Sequence, residues 1–200
     1  MSERFIHRTG YAMTNNVTAK QVGQETRHWL ESIVVGLNLC PFAAPVLKQN
    51  TLHIEICDKT SEMDIYRAVL EQMDFLQTSD ENKVSTSLLV FSHALENFDD
   101  YLEVVDMAND LLGQIGLEGH IQIASFHPQY CFADVPEDDI SHYTNRSPYP
   151  MLHFIREAQM ARALKNYPNP EAIPDNNIEC LRQLGIEALQ QLLRYPSEKK

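Results

Sequence analysis

Thr86-Ser87-Leu88-Leu89-Val90-Phe91 (TSLLVF, residues 86–91) ends in four consecutive apolar side chains. A strand wet on one face alternates apolar with polar residues, so a short run without alternation reads as a strand buried on both faces, as in a parallel sheet covered by helices. Outward from it the pattern alternates. Thr51 to Cys57 reads as a strand with Leu52, Ile54 and Ile56 on one face. Thr60 or Ser61 then caps a helix carrying Ile65, Tyr66, Val69, Met73 and Leu76. Beyond 86–91, Phe98, Tyr101, Leu102, Val105 and Leu112 make a second helix ended by Gly113 and Gly116, and Ile121 to Phe126 makes a third strand.

Strands separated by helices imply crossover connections, so the expected fold is α/β: a small, mostly parallel sheet with flanking helices. The alternative is an α+β split antiparallel sheet. Upstream, Thr18 and Gln21 have the spacing of a capping box, and Val22, Trp29, Ile33 and Leu37 continue a helix to about Gly36. Pro41 disfavours helix at Cys40, so the chain turns there. Downstream, Leu152 to Leu164 reads as an amphipathic helix, Asn166 to Pro174 as a linker, and Ile178 through Leu192 as a last helix. The expected organisation is a flexible arm over 1–17 and a single domain over 18–195, with a frayed SEKK tail.

The chain has 200 residues, 16 basic and 28 acidic, for a net charge of −12, and 44% of its residues are hydrophobic. That suits one globular domain with a full core. The charge repels phosphate backbones and anionic lipid, and no run of Lys or Arg offsets it, so neither nucleic acid nor a membrane is an expected partner. No signal sequence or membrane span is legible, and Cys40, Cys57, Cys131 and Cys180 lack the spacing of a disulfide scaffold or a CxxC site. Reduced thiols in a cytoplasm follow.

After Phe126 comes a long polar stretch with aromatics, 127–150; loops of this length inside compact domains are usually functional or disordered. Within it, Ser147 and Pro148 read as the N-cap and first residue of the next helix, which would set free backbone N–H groups beside Arg146, an arrangement that holds a carboxylate or phosphate. Asn145, Ser147, Tyr130, His153 and Arg156 are the other expected ligand-binding residues. Arg146 bracing the loop against Glu137-Asp138-Asp139 accounts for the same residues. His127 follows directly on the third strand, where its imidazole suits acid/base work or a turn brace. Cys40 is a nucleophile only if a base such as His127 activates it; otherwise it is an inert core cysteine. His153 and Glu157, four apart on the expected helix, share a face as metal ligands or as a surface hydrogen-bonded pair, with Arg156 on a neighbouring face; no HExxH occurs, and no metal is assigned.

The segments GLNLCPFA at 36–43, SFHPQYCF at 125–132 and TNRSPYPMLHFIRE at 144–157 resemble the signature blocks of the bacterial domain of unknown function 1415 family. The resemblance runs from about residue 20 to residue 193. It implies a single bacterial domain and brings no reaction with it. Cys40, His127, Asn145, Arg146, His153, Arg156 and Glu157 are the matching positions.

The functional expectation is an enzyme acting on a small anionic metabolite in a polar pocket roofed by residues 127–150. Arg146 would hold the anion and His127 would move the proton, with Cys40 or Glu157 assisting. A non-catalytic ligand-binding or regulatory protein is the alternative, and an interaction module using exposed aromatics and the acidic surface is a third. No cofactor is indicated, since neither GxGxxG nor GxxxxGK[ST] occurs.

Overall fold

The strand read as buried on both faces, β2 (Thr86–Phe91), is buried at every position and lies inside the sheet. This computed structural model describes residues 17–165 and 167–195. The arm over 1–16 and the SEKK tail lie outside the described residues; Val17, placed in the arm by the sequence reading, is buried. Beside β2 runs β1 (Leu52–Cys57), parallel and in register Ile54 to Leu88. The crossover between them is α3 (Glu62–Thr78), whose first turn is capped by Ser61 accepting from the Asp64 N–H. From β2, α4 (Phe98–Gln114) starts on Asn97, whose side chain accepts from Asp99 and Asp100, and leads to β3 (Ile121–Phe126).

The expectation fails at residues 151–156. Met151–Arg156 is a strand, β4, and it lies antiparallel between β2 and β3, giving the order β1-β2-β4-β3. The sheet is therefore mixed and not mostly parallel. Six largely apolar residues without alternation fit a buried strand and a buried helix equally well. Only Glu157–Leu164, α5, is helical in the stretch read as one helix. Because β4 opposes both neighbours, β1, β2 and β3 still point the same way, and their carboxyl ends share one edge.

Helices cover both faces of the sheet. On one face α3 and α4 bury Val69, Met73, Leu76, Ala108 and Leu111 against Leu89, Phe91, Leu152 and Phe154. On the other, α1 (Ala19–Trp29), α6 (Ile173–Leu184) and α7 (Ile186–Leu192) pack Val22, Trp29, Leu181 and Leu189 against Leu88, Val90 and Met151. The single terminal helix expected from 178 to 192 is two, broken at Gly185, whose φ of 78° an L side chain rarely adopts. Pro174, placed in the linker by sequence, sits in the first turn of α6.

Thr18 caps α1 as its spacing predicts. The helix then changes type: Leu30–Val35 is π-helical, with Gly36 N–H donating to Glu31 five residues back. A Cβ on Gly36 would meet the Ser32 carbonyl oxygen at 2.2 Å, so this wider turn requires glycine. α2 (Ala43–Gln49) follows the turn at Cys40 and Pro41, and packs Phe42 and Val46 on Ile155. No helix among the described residues is long and apolar enough to cross a membrane.

Candidate functional site

Residues 127–150 join β3 to β4 across the shared strand edge and are anchored by two buried histidines. His127 is wholly buried. Its Nδ1 accepts from the Gln129 N–H at 3.0 Å, so the proton sits on Nε2, which donates to Leu95 O at 2.9 Å. Its ring packs on Phe98 and Tyr101, and burial pushes its pKa down. His142, in the 3-10 turn Ile140–Thr144, repeats the pattern: Nδ1 accepts from Phe132 N–H and Nε2 donates to Pro136 O at 2.8 Å. Neither imidazole has a nitrogen free for substrate. Cys131 Sγ lies 3.5 Å from His142 Nε2, a neighbour that sequence spacing gave no sign of.

The segment read as a helix start has another form. Ser147 caps no helix; its hydroxyl donates to Tyr149 O, and strand β4 follows. The expected anion cradle of helix N–H groups beside Arg146 is therefore absent from the described residues. Arg146 is a brace, although not against residues 137–139. Its Nε donates to Tyr130 O at 3.1 Å, its guanidinium lies 4.6 Å over the Tyr143 ring, and its own carbonyl accepts from the Trp29 indole. Asp139 instead pairs with Arg182. Asn145 Nδ2 donates to Ser125 O, tying the loop to β3, and the Tyr130 ring packs between Phe98 and Phe132. Tyr101 closes the base of the loop: its hydroxyl donates to Met151 O and accepts from Phe126 N–H, which holds the last β3–β4 pair together.

His153 and Glu157 do not share a helical face, since His153 is on β4 and Glu157 opens α5. Arg156 donates to Ser79 O and Val84 O, bracing the segment after α3. Among the described residues, no group of three or more His, Cys, Asp or Glu side chains is placed to hold a metal ion.

The structure does join His153 to Cys40. Both line a cavity of about 70 Å³ on the α1 face of the sheet, walled by Trp29, Leu30, Val34, Phe42, Val46, Leu88 and Phe126. The π-helical turn supplies Leu30 and Val34. Thr86, also on this wall, donates its single hydroxyl proton to Phe154 O, so its oxygen must accept from His153 Nε2 at 2.7 Å. The Nδ1 lone pair of His153 is left without a partner among the described residues. Burial drives the pKa of this imidazole down to about 4, so it is neutral at physiological pH. Cys40 also borders a second, open cleft of about 560 Å³, lined with Leu39, Phe132, Val135, Ser141, Thr144, Asn145 and Asn177. Val34, Cys40 and Phe126 are shared by the two spaces. Burial raises the Cys40 thiol pKa, with the Phe42 and Ala43 N–H groups pulling weakly the other way. Among the described residues, no Lys, Arg, Asp or Glu lines the cavity or the cleft.

Of the residues singled out by sequence, Cys40 and His153 line the cavity, Cys40 and Asn145 line the neighbouring cleft, and His127, Tyr130, Arg146, Ser147, Arg156 and Glu157 line neither. Sequence reasoning missed Thr86 and Trp29, which read simply as strand and helix core.

No curated protein and no solved structure matches the chain. The family described as proteins of unknown function, DUF1415, matches residues 21–191, from α1 into α7 and through all three sequence blocks, and the chain belongs to that family.

Proposed function

We propose that the chain is a binding protein for a small, uncharged, mostly apolar molecule that enters by the cleft and seats its head in the cavity beyond Cys40. The observation that carries this is His153, which lines the otherwise apolar cavity and whose Nδ1 has no hydrogen-bond partner among the described residues. Ligand pockets are typically apolar with a few placed polar groups that fix orientation. A hydroxyl or N–H on the ligand would satisfy that nitrogen. The ligand is neutral because no cationic side chain among the described residues lines the cavity or the cleft and the protein's own charge of −12 repels anions. This favours the non-catalytic alternative over an enzyme acting on an anionic metabolite. A catalytic reading rests only on Cys40 and His153 lining one cavity. It has to deprotonate a thiol that burial holds protonated, next to an imidazole of low basicity. The four free cysteines support a reducing, cytoplasmic setting, and the sequence blocks support a bacterial one.

The test is a melting screen of the full chain against small alcohols, phenols and amides, beside matched carboxylates and phosphates. Ligands of the native state raise Tm by mass action. Stabilisation by uncharged donors, lost in Ala43→Leu, which fills the cavity, supports the proposal. Stabilisation by anions alone overturns it.

A further inference from the structure

On the opposite face of the sheet, α3 and α4 leave a groove of about 610 Å³ between their amino-terminal halves. Its walls are apolar, with Met63, Ile65, Tyr66, Leu95, Val104 and Met107, and its rim carries Glu62, Asp100 and Glu103 and no basic residue among the described residues. Met63 is 66% exposed and Tyr66 37%, the first the most exposed large hydrophobic side chain among the described residues. The charge extends beyond the rim. The two helices together hold nine carboxylates and a single cation, Arg67, which is paired with Asp64.

Glu62, Asp64, Asp99 and Asp100 lie in the first turns of their helices, where the dipole favours acid, whereas Glu103, Asp106 and Asp110 lie beyond that turn. On α4, Asp99 and Glu103 stand four apart, as do Asp106 and Asp110, and like charges at that spacing destabilise a helix. No basic residue in the last turn of α4 offsets them. A cation supplied from outside would relieve the repulsion. We propose that this groove docks a basic amphipathic helix of a partner protein, apolar side chains in the groove and Lys or Arg against the rim. Helices seat in grooves through anchors at i, i+3, i+4 and i+7, and flexible methionines suit such surfaces. A second copy of this chain, an anionic membrane and a nucleic acid are each repelled by the same charge.

The test uses the full chain and a dye-labelled helical peptide of Leu and Lys with leucines at helical spacing. Controls are a scrambled peptide of the same composition and a version with Glu for Lys. Fluorescence anisotropy should show saturable binding of the amphipathic peptide only. Glu103→Lys should weaken it about tenfold at low salt and Met63→Ser severalfold, whereas Glu171→Lys, on the other face and with the same charge change, should alter it by less than about twofold. All three positions are exposed, and unchanged melting confirms that the variants are folded. Equal binding of the scrambled peptide, or equal loss in Glu103→Lys and Glu171→Lys, overturns the proposal in favour of non-specific charge attraction.

Discussion

Thr86 on β2 and His153 on β4 are joined by a hydrogen bond whose direction is determined by a third group: the Thr86 proton is committed to Phe154 O, so His153 Nε2 must donate. A contact between two central strands thereby sets the tautomer of a cavity-lining imidazole. It leaves the acceptor nitrogen as the one available to a ligand.

His153 makes stability depend on pH in a predictable direction. Its folded pKa of about 4 lies below the ordinary 6.5, so the unfolded chain binds the proton more tightly. The contribution is complete above pH 6.5 and is lost as pH falls from there towards 4, at a cost of about 3 kcal/mol. His127, lowered in the same direction, adds to the loss. Denaturant titrations at pH 7.5 and 4.5 should show His153→Phe less acid-sensitive than the parent chain. Equal sensitivity would contradict the burial of a neutral His153.

Removal of a loop anchor should damage the fold and not the site. His127→Ala takes away a buried ring and both of its backbone hydrogen bonds, for a loss of roughly 2–4 kcal/mol. Arg146→Lys loses the planar fork and the stacking on Tyr143, for about 1 kcal/mol. Both folded variants should bind the parent chain's uncharged ligands with little change. A variant that melts normally and no longer binds would return that residue to the site.

How much of this was legible depended on whether local pattern and tertiary role agreed. β1, α3, α4 and β3 follow from apolar periodicity, β2 from its short unbroken apolar run, and Thr18 and Ser61 act as the caps their spacing promises. β4 did not, because its apolar run, which lacks alternation as β2's does, passes at Glu157 directly into α5 with no turn residue between, so the two read as one helix. That one misreading also created the false helix start at Ser147 and the false His153–Glu157 pairing. The 127–150 stretch stood out by length and aromatic content, but its histidines turn inward to the backbone. The π turn carries no pattern signal beyond a glycine.

Gly36→Ala should force that turn to rearrange, since the added carbon cannot occupy its place 2.2 Å from Ser32 O. The expected cost is roughly 2 kcal/mol or more, with weaker ligand binding because Leu30 and Val34 shift in the cavity wall. Melting and binding measured on the same sample check both effects. A neutral substitution would mean that the segment is ordinary α-helix.

Cys40 should behave as a partly buried thiol of raised pKa. Its alkylation by iodoacetamide, followed by mass spectrometry, should be slow at neutral pH, accelerate only above the ordinary thiol range, and slow further once an uncharged ligand occupies the cleft. Fast reaction at neutral pH would revive the nucleophile reading.

The most direct test is the nitrogen NMR spectrum of histidine-labelled protein, free and saturated with the uncharged donor that raises Tm most. The expected spectrum is that of a neutral His153 protonated at Nε2, whose Nδ1 resonance alone moves on binding as it accepts the ligand's hydrogen bond, while His127 and His142 stay put. A His153 Nδ1 signal unmoved by a ligand that stabilises the protein, or a His153 protonated on Nδ1, would contradict it.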